Sequence, residues 1–130
     1  MKTLEEIRSF FENDRFATEN AMVIDEVADG YAKCSMLISE RHRNAVGGVM
    51  GGVPFTLADF TYAVAVNHQE PKWVSLSANI TFLGVTKGEK LIAEANVVKS
   101  GRTTNYYRVD VCDELGHPVA CVTITGYSKG

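Results

Sequence analysis

Residues 47–61, GGVMGGVPFTLADFT, set four glycines and a proline ahead of an apolar run whose single charge is Asp59. A lone carboxylate rarely enters such a segment unless it is paired or put to use. No Lys or Arg lies between Val46 and Val66, so no ion pair is available within the segment. A carboxylate in apolar surroundings is poorly solvated; its pKa rises and it becomes a better proton acceptor near neutral pH. Asp59 is therefore a candidate catalytic group. A carboxylate hydrogen-bonded to nearby backbone or threonine, without a chemical role, is the alternative. Glycines ahead of a helix can also cradle anions. The stretch has neither G-x-x-x-x-G-K-S/T nor G-x-G-x-x-G, so nucleotide hydrolysis is unsupported.

The elements around these residues follow from local pattern. The length of Phe55–Val66 and the Pro54 at its first turn predict a helix starting near Val53. It is apolar on nearly every side, which predicts a helix buried all round. Leu4, Ile7, Phe10 and Phe11 have helical spacing over Thr3–Phe11, with Thr3 and Glu6 as a capping box. Strands are expected at 21–27 and 31–38 around the turn Ala28-Asp29-Gly30. A polar loop follows at Ser39–Asn44, and further strands at 74–83, 90–99, 103–113 and 119–127. Several strands wrapped around one hydrophobic helix make a single α+β domain over residues 1–130.

Composition narrows the function classes. The 130 residues carry thirteen Lys and Arg against sixteen Asp and Glu, a net charge of −3 without a basic tract, so no nucleic-acid partner is expected. Val46–Val66 is long enough to span a bilayer, but its glycines, proline and aspartate dilute it and no flanking charge sets a topology, so no membrane association is expected. Cys34, Cys112 and Cys121 are odd in number and far apart, with no C-x-x-C; neither a metal site nor a disulfide framework is expected. Unpaired thiols suit a reducing compartment, and the acidic, broken N-terminal segment does not read as a signal peptide, so a cytoplasmic location is expected.

Met50–Asp59, MGGVPFTLAD, resembles the H-G-G-x-x-F-S/T-L-A-D signature of PaaI-type hotdog-fold acyl-CoA thioesterases. Asn44, Gly47 and the Gly51-Gly52 pair match that family's upstream spacing. VSLSANITFLGVTKGEKLIAEANVVKSGRT and DELGHPVACVTITGY are similar to its later strands and turns. The resemblance implies a hotdog fold, a curved antiparallel sheet wrapped around a central hydrophobic helix. It implies hydrolysis of a small, medium or aryl acyl-CoA, with coenzyme A present only as part of the substrate and no other cofactor. It further implies Asp59 as base or nucleophile, the Gly51 backbone N–H as the group polarising the carbonyl, and Asn44 and Ser75 as orienting groups. Ser77, two residues along the strand, shares a face with Ser75 in a regular strand and is the alternative to it.

One position departs from the pattern: Met50 stands where the family has a histidine, and a thioether donates no proton. Asn44 is the candidate substitute, while His42, His68 and His117 read as ordinary loop or turn residues. Met50, Gly52 and Phe55 are expected to line the substrate, and Lys87, Lys99 and Arg102 to meet the phosphates of coenzyme A. Asp59 follows Gly51 by eight residues, about 12 Å along a helix. One reacting centre must therefore draw Gly51 from one chain and Asp59 from another, which predicts a homodimer, paired further into a homotetramer. A non-catalytic acyl-CoA-binding protein is the alternative of a different class. A hydratase or dehydratase ranks below it, because no histidine accompanies Asp59.

Overall fold

The computed structural model describes all of residues 1–130. Helix α1 (Leu4–Phe11) opens with the expected box: the Glu6 N–H donates to Thr3 Oγ1 at 3.2 Å and the Thr3 N–H to Glu6 Oε1 at 2.9 Å. Ile7 and Phe11 are its buried residues. A five-residue helix α2 (Arg15–Glu19) follows, with Asp14 as N-cap; the hydrophobic pattern gave no sign of it. Strands β1 (Val23–Ala28) and β2 (Tyr31–Leu37) form a hairpin closed by Asp29-Gly30, where Gly30 takes φ +73°. A non-glycine residue disfavours that φ. Helix α3 (Gly52–Asn67) precedes β3 (Trp73–Phe82), β4 (Lys90–Ser100), β5 (Thr104–Asp113) and β6 (Pro118–Ser128).

The six strands form one antiparallel sheet in the order β1-β2-β4-β5-β6-β3. α3 packs most heavily on β2 and β4. The side chains buried there are short: Ala32 and Cys34 on β2, Ala93 and Ala95 on β4. Small residues let a helix settle close to a sheet without voids. Leu57, Thr61 and Val64 of α3 are fully enclosed, and the Thr61 hydroxyl bonds the Leu57 carbonyl at 2.7 Å. The Asp113 carboxylate, also enclosed, accepts the N–H groups of Lys87, Gly88, Leu115 and His117 at 2.9–3.0 Å, fastening the β3–β4 loop to the β5–β6 turn.

Two expectations need correction. α3 is not buried all round. Gly52 and Asp59 are exposed and Thr56, Ala63 and Val66 are half-buried, and the 4-3-4-3 spacing of these five residues aligns them in one open stripe. β3, a strand as expected, lies at the sheet edge and leaves nearly all its residues exposed, including Val74, Leu76 and Phe82. The second correction is His42. It is buried rather than solvated, because a 3-10 turn at Glu40–His42 folds it inward; its Nδ1 accepts the Ser39 N–H at 2.9 Å and its Nε2 lies 3.1 Å from Asn20 Oδ1.

Candidate active site

The loop before α3 is organised by Asn44. Its Oδ1 accepts the N–H groups of Val46 (3.1 Å) and Gly48 (3.0 Å), and its own N–H donates to the Gly48 carbonyl at 2.7 Å. The side-chain oxygen is thus occupied by the loop, and the amide Nδ2 is the donor left over. At the start of α3 the Val53 N–H turns back to the Met50 carbonyl at 2.9 Å. Pro54 has no N–H to satisfy. The Gly51 and Gly52 N–H groups meet no acceptor in the chain, and no side chain caps the helix. These free donors stand at the positive end of the helix dipole, where negative charge is stabilised. A β-carbon on Gly51 would stand 3.0 Å from Phe82 Cζ, a tight approach that the ring must yield to by a few tenths of an ångström.

Asp59 projects from the open stripe of α3 into a groove of about 290 Å³ bordered by Asp14, Phe16, Thr56, Phe60 and Ala63. It is exposed by surface area yet stands among apolar walls. That crowding raises its carboxyl above the usual aspartate value, and the nearby Asp14 carboxylate adds to the rise. No hydrogen bond and no cation compensates it. The alternative of a structurally hydrogen-bonded acid is not what this geometry shows. Met50 lies across an adjoining pocket with Gly52, Val53, Thr56 and Phe16, closed behind by His42.

Ser75 and Ser77 do not share a face. Ser75 pairs with Gly126 but Ser77 pairs with Thr125, so a bulge at Leu76 absorbs one residue. Directly paired residues point to the same side of a sheet and neighbours along a strand to opposite sides. Gly126 faces α3, close to the Tyr62 hydroxyl. Ser75 therefore points to the helix side and Ser77 away from it.

A family model described as the thioesterase superfamily matches residues 46–120. A putative esterase of Archaeoglobus fulgidus is 33% identical over 119 residues, 90% of this chain and 77% of the relative. The chain belongs to the thioesterase superfamily. Within it, Escherichia coli acyl-coenzyme A thioesterase PaaI is 28% identical over 120 residues, 92% of this chain and 86% of that one. The solved E. coli PaaI structure is similar with a TM-score of 0.89, over 98% of this chain and 97% of that chain, at 25% identity. A hypothetical thioesterase of Streptococcus pneumoniae, solved with coenzyme A, has a TM-score of 0.84 over 92% and 97% of the two chains at 26% identity. The six-stranded sheet with its long helix is the hotdog fold of this PaaI-type branch, and the protein is a thioester hydrolase.

In this thioesterase the three expected cations are not brought together. Lys87 precedes β4, whereas Lys99 ends it and Arg102 sits in the turn beyond. Nine steps along the strand separate Lys90 from Lys99, about 30 Å. Phe55, beside Gly51 on the first turn of α3, is half-buried, and Tyr62 is enclosed with its hydroxyl donating to Asn105 at 2.9 Å. No cluster of three or more His, Cys, Asp or Glu is placed to hold a metal ion, and no helix is long and apolar enough to cross a membrane. Asp14 and Phe16 at the Asp59 groove were missed by sequence reasoning. Phe16 lies on a helix too short to show a period and Asp14 at its N-cap, and both border the Asp59 groove from more than forty residues away in the chain.

Proposed function

We propose that this thioesterase hydrolyses an acyl-CoA, at a site built from the Gly51 turn of one subunit and the Asp59 groove of another. The observation that carries this reading is the state of the two groups. Gly51 offers an N–H without an acceptor and Asp59 a carboxylate without a donor, on one helix but about 12 Å apart. A second copy related by a two-fold axis brings each beside the other's complement. The open stripe of α3 and the uncovered inner side of β3 supply apolar surface for such a copy. A further pairing into a dimer of dimers belongs to the same reading. Acyl-CoA as substrate is supported by the E. coli relative, which is an acyl-coenzyme A thioesterase, and by the pneumococcal structure solved with coenzyme A.

The steps balance simply. Asp59 takes a proton from water as the water oxygen adds to the thioester carbon, and the oxygen that becomes negative is received by the Gly51 N–H. Removing such a donor costs about 3 kcal/mol in other enzymes. The carbon–sulfur bond then breaks, and the proton held by Asp59 passes to the coenzyme A sulfur. The raised affinity of Asp59 for a proton suits a base better than a nucleophile. Asn44 Nδ2, free to donate, orients the carbonyl where Met50 replaces the family's histidine, and Ser75 orients from the helix side of β3. Gly52, Phe55 and Met50 line the acyl group. Because Lys87 lies at the opposite end of the sheet from Lys99 and Arg102, the phosphates meet one end or the other, not all three side chains of one subunit. The three free thiols suit a reducing, cytoplasmic setting.

Met50 favours one second reading, an acyl-CoA-binding protein without turnover. Purified wild type and Asp59→Asn, incubated with a panel of acyl-CoAs and a thiol-detecting reagent, separate the two. Thiol release by wild type that falls 10²- to 10⁴-fold in the variant supports hydrolysis. Tight binding with no release supports the binder, and turnover untouched by the substitution removes Asp59 from the mechanism. Sedimentation that finds an active monomer would overturn the shared site.

A further inference from the structure

The Asp59 groove contains a second carboxylate that the reading above does not use. Asp14 lies at the N-cap of α2, the position where an aspartate ordinarily accepts an N–H of its own helix. Here it makes no cap hydrogen bond. Its backbone carbonyl, not its carboxylate, receives the Thr18 N–H at 3.1 Å and the Thr18 hydroxyl at 3.3 Å. Asp14 and Asp59 thus border one groove from two elements, each without a hydrogen-bond donor.

The cations around them are all engaged elsewhere. Arg15, in the same groove, pairs with Glu19 at 3.2 Å. Arg41, in the adjoining pocket that shares Phe16 and Thr56, donates to the Glu19 carbonyl at 2.7 Å. Arg8, in the cavity beyond Phe60, donates to the Ile24 carbonyl at 2.9 and 2.7 Å, and Glu12 lines that same cavity. His42 has both ring nitrogens occupied, and the Tyr62 phenol is bonded to Asn105. Two carboxylates without protein partners thus face one groove, and the Asp14 charge acts on Asp59 across it.

We propose that Asp14 is a positioning residue for hydrolysis, an uncompensated negative charge across the groove that makes Asp59 a stronger proton acceptor. The inference rests on Asp59 acting as the base. Burial holds the Asp14 carboxyl above the ordinary aspartate value; that of Asp59 is raised by burial first and by the Asp14 charge second. Its role is exerted through Asp59. A base that binds its proton more tightly while still ionised near neutral pH removes the proton from water more effectively.

The test is the pH dependence of kcat/KM for thiol release by wild type, Asp14→Asn and Asp14→Glu, with the Asp59 titration followed in parallel by carboxyl carbon NMR. In Asp14→Asn the acid limb and the Asp59 midpoint should both move to lower pH by about half a unit or more, as expected on removing a screened neighbouring charge. The plateau rate should fall about two- to fivefold, the Brønsted consequence of a weaker base, with KM nearly unchanged. Asp14→Glu keeps the charge and should keep the limb. A rate loss with limb and midpoint unmoved would mean that Asp14 only supports α2, and overturns the proposal. Asp59→Asn distinguishes the two levels of failure. Undiminished thiol release there removes Asp59 as the base, the reading on which this inference rests, whereas the NMR midpoint reports the Asp14–Asp59 interaction without reference to activity.

Discussion

Phe82 lies across Gly51, its ring edge 3.0–3.3 Å from where a β-carbon on the glycine would stand. Gly51 has φ −57° and ψ −30°, ordinary helical values, so an alanine there meets no backbone strain. What it meets is the Phe82 ring, which must give by a few tenths of an ångström and can move the glycine turn in doing so. We expect Gly51→Ala to lower kcat/KM by about tenfold or more, because small displacements of a positioned donor are expensive. The same substitution in a Phe82→Ala background should lose less. The four proteins of this double-mutant cycle give the coupling, and equal losses in both backgrounds reject the assignment of Gly51 to the site by this contact.

The bulge at Leu76 separates two serines that look interchangeable in sequence. Ser75, facing α3 opposite Gly126, should matter for turnover, and Ser75→Ala is expected to reduce kcat/KM by roughly the strength of one hydrogen bond, about five- to tenfold. Ser77→Ala, on the far side opposite Thr125, should leave it within about twofold. Steady-state kinetics on both variants decide, and the reverse ranking would reject the register argument.

Asp59 should weaken the fold it serves. Its carboxyl binds a proton more tightly in the folded chain than the ordinary value of 3.8, through burial first and Asp14 second. Ionising it therefore costs stability. The cost is absent below that ordinary value, grows as pH rises through the raised one, and is complete above it. Asp59→Asn should raise Tm at neutral pH by roughly 1–3 °C, and the gain should vanish in acid. Calorimetry over that range checks it; a loss of Tm at neutral pH contradicts it.

Asp113 should show the opposite pH dependence. Burial works against its charge, but the N–H groups of His117, Lys87 and Gly88 and the His117 ring outweigh it and hold the carboxyl below its ordinary 3.8. Its contribution is fully present above that value and is lost as pH falls through the lowered native one. Asp113→Asn should accordingly lower Tm at neutral pH, with the gap to wild type closing only below 3.8. A gap that closes near neutrality would assign the effect to another group.

Local signals were enough for much of this architecture. The Thr3–Glu6 box, the Asp29-Gly30 hairpin, the start of α3 at its glycine–proline turn and the strands from β3 to β6 were all legible, because caps, turns and periodicity depend on residues a few positions apart. Gly51 and Asp59 stood out for the same reason: a run of glycines and one acid among apolar side chains can be seen in fifteen consecutive residues.

What folding alone decided involves residues far apart in the chain. The apolar character of α3 on every side concealed the stripe that carries Asp59, since hydrophobicity cannot tell a face covered by the sheet from one left open. The Leu76 bulge depends on β6, fifty residues downstream, and it turned Ser77 away from the helix. Lys99 and Arg102 parted from Lys87 because an extended strand lies between them. Asp14 and Phe16 came to Asp59 through the packing of α2 on α3, a contact that no spacing in the sequence encodes. Residue types and short spacings determined which groups could do the chemistry; long-range packing determined which of them face the same groove.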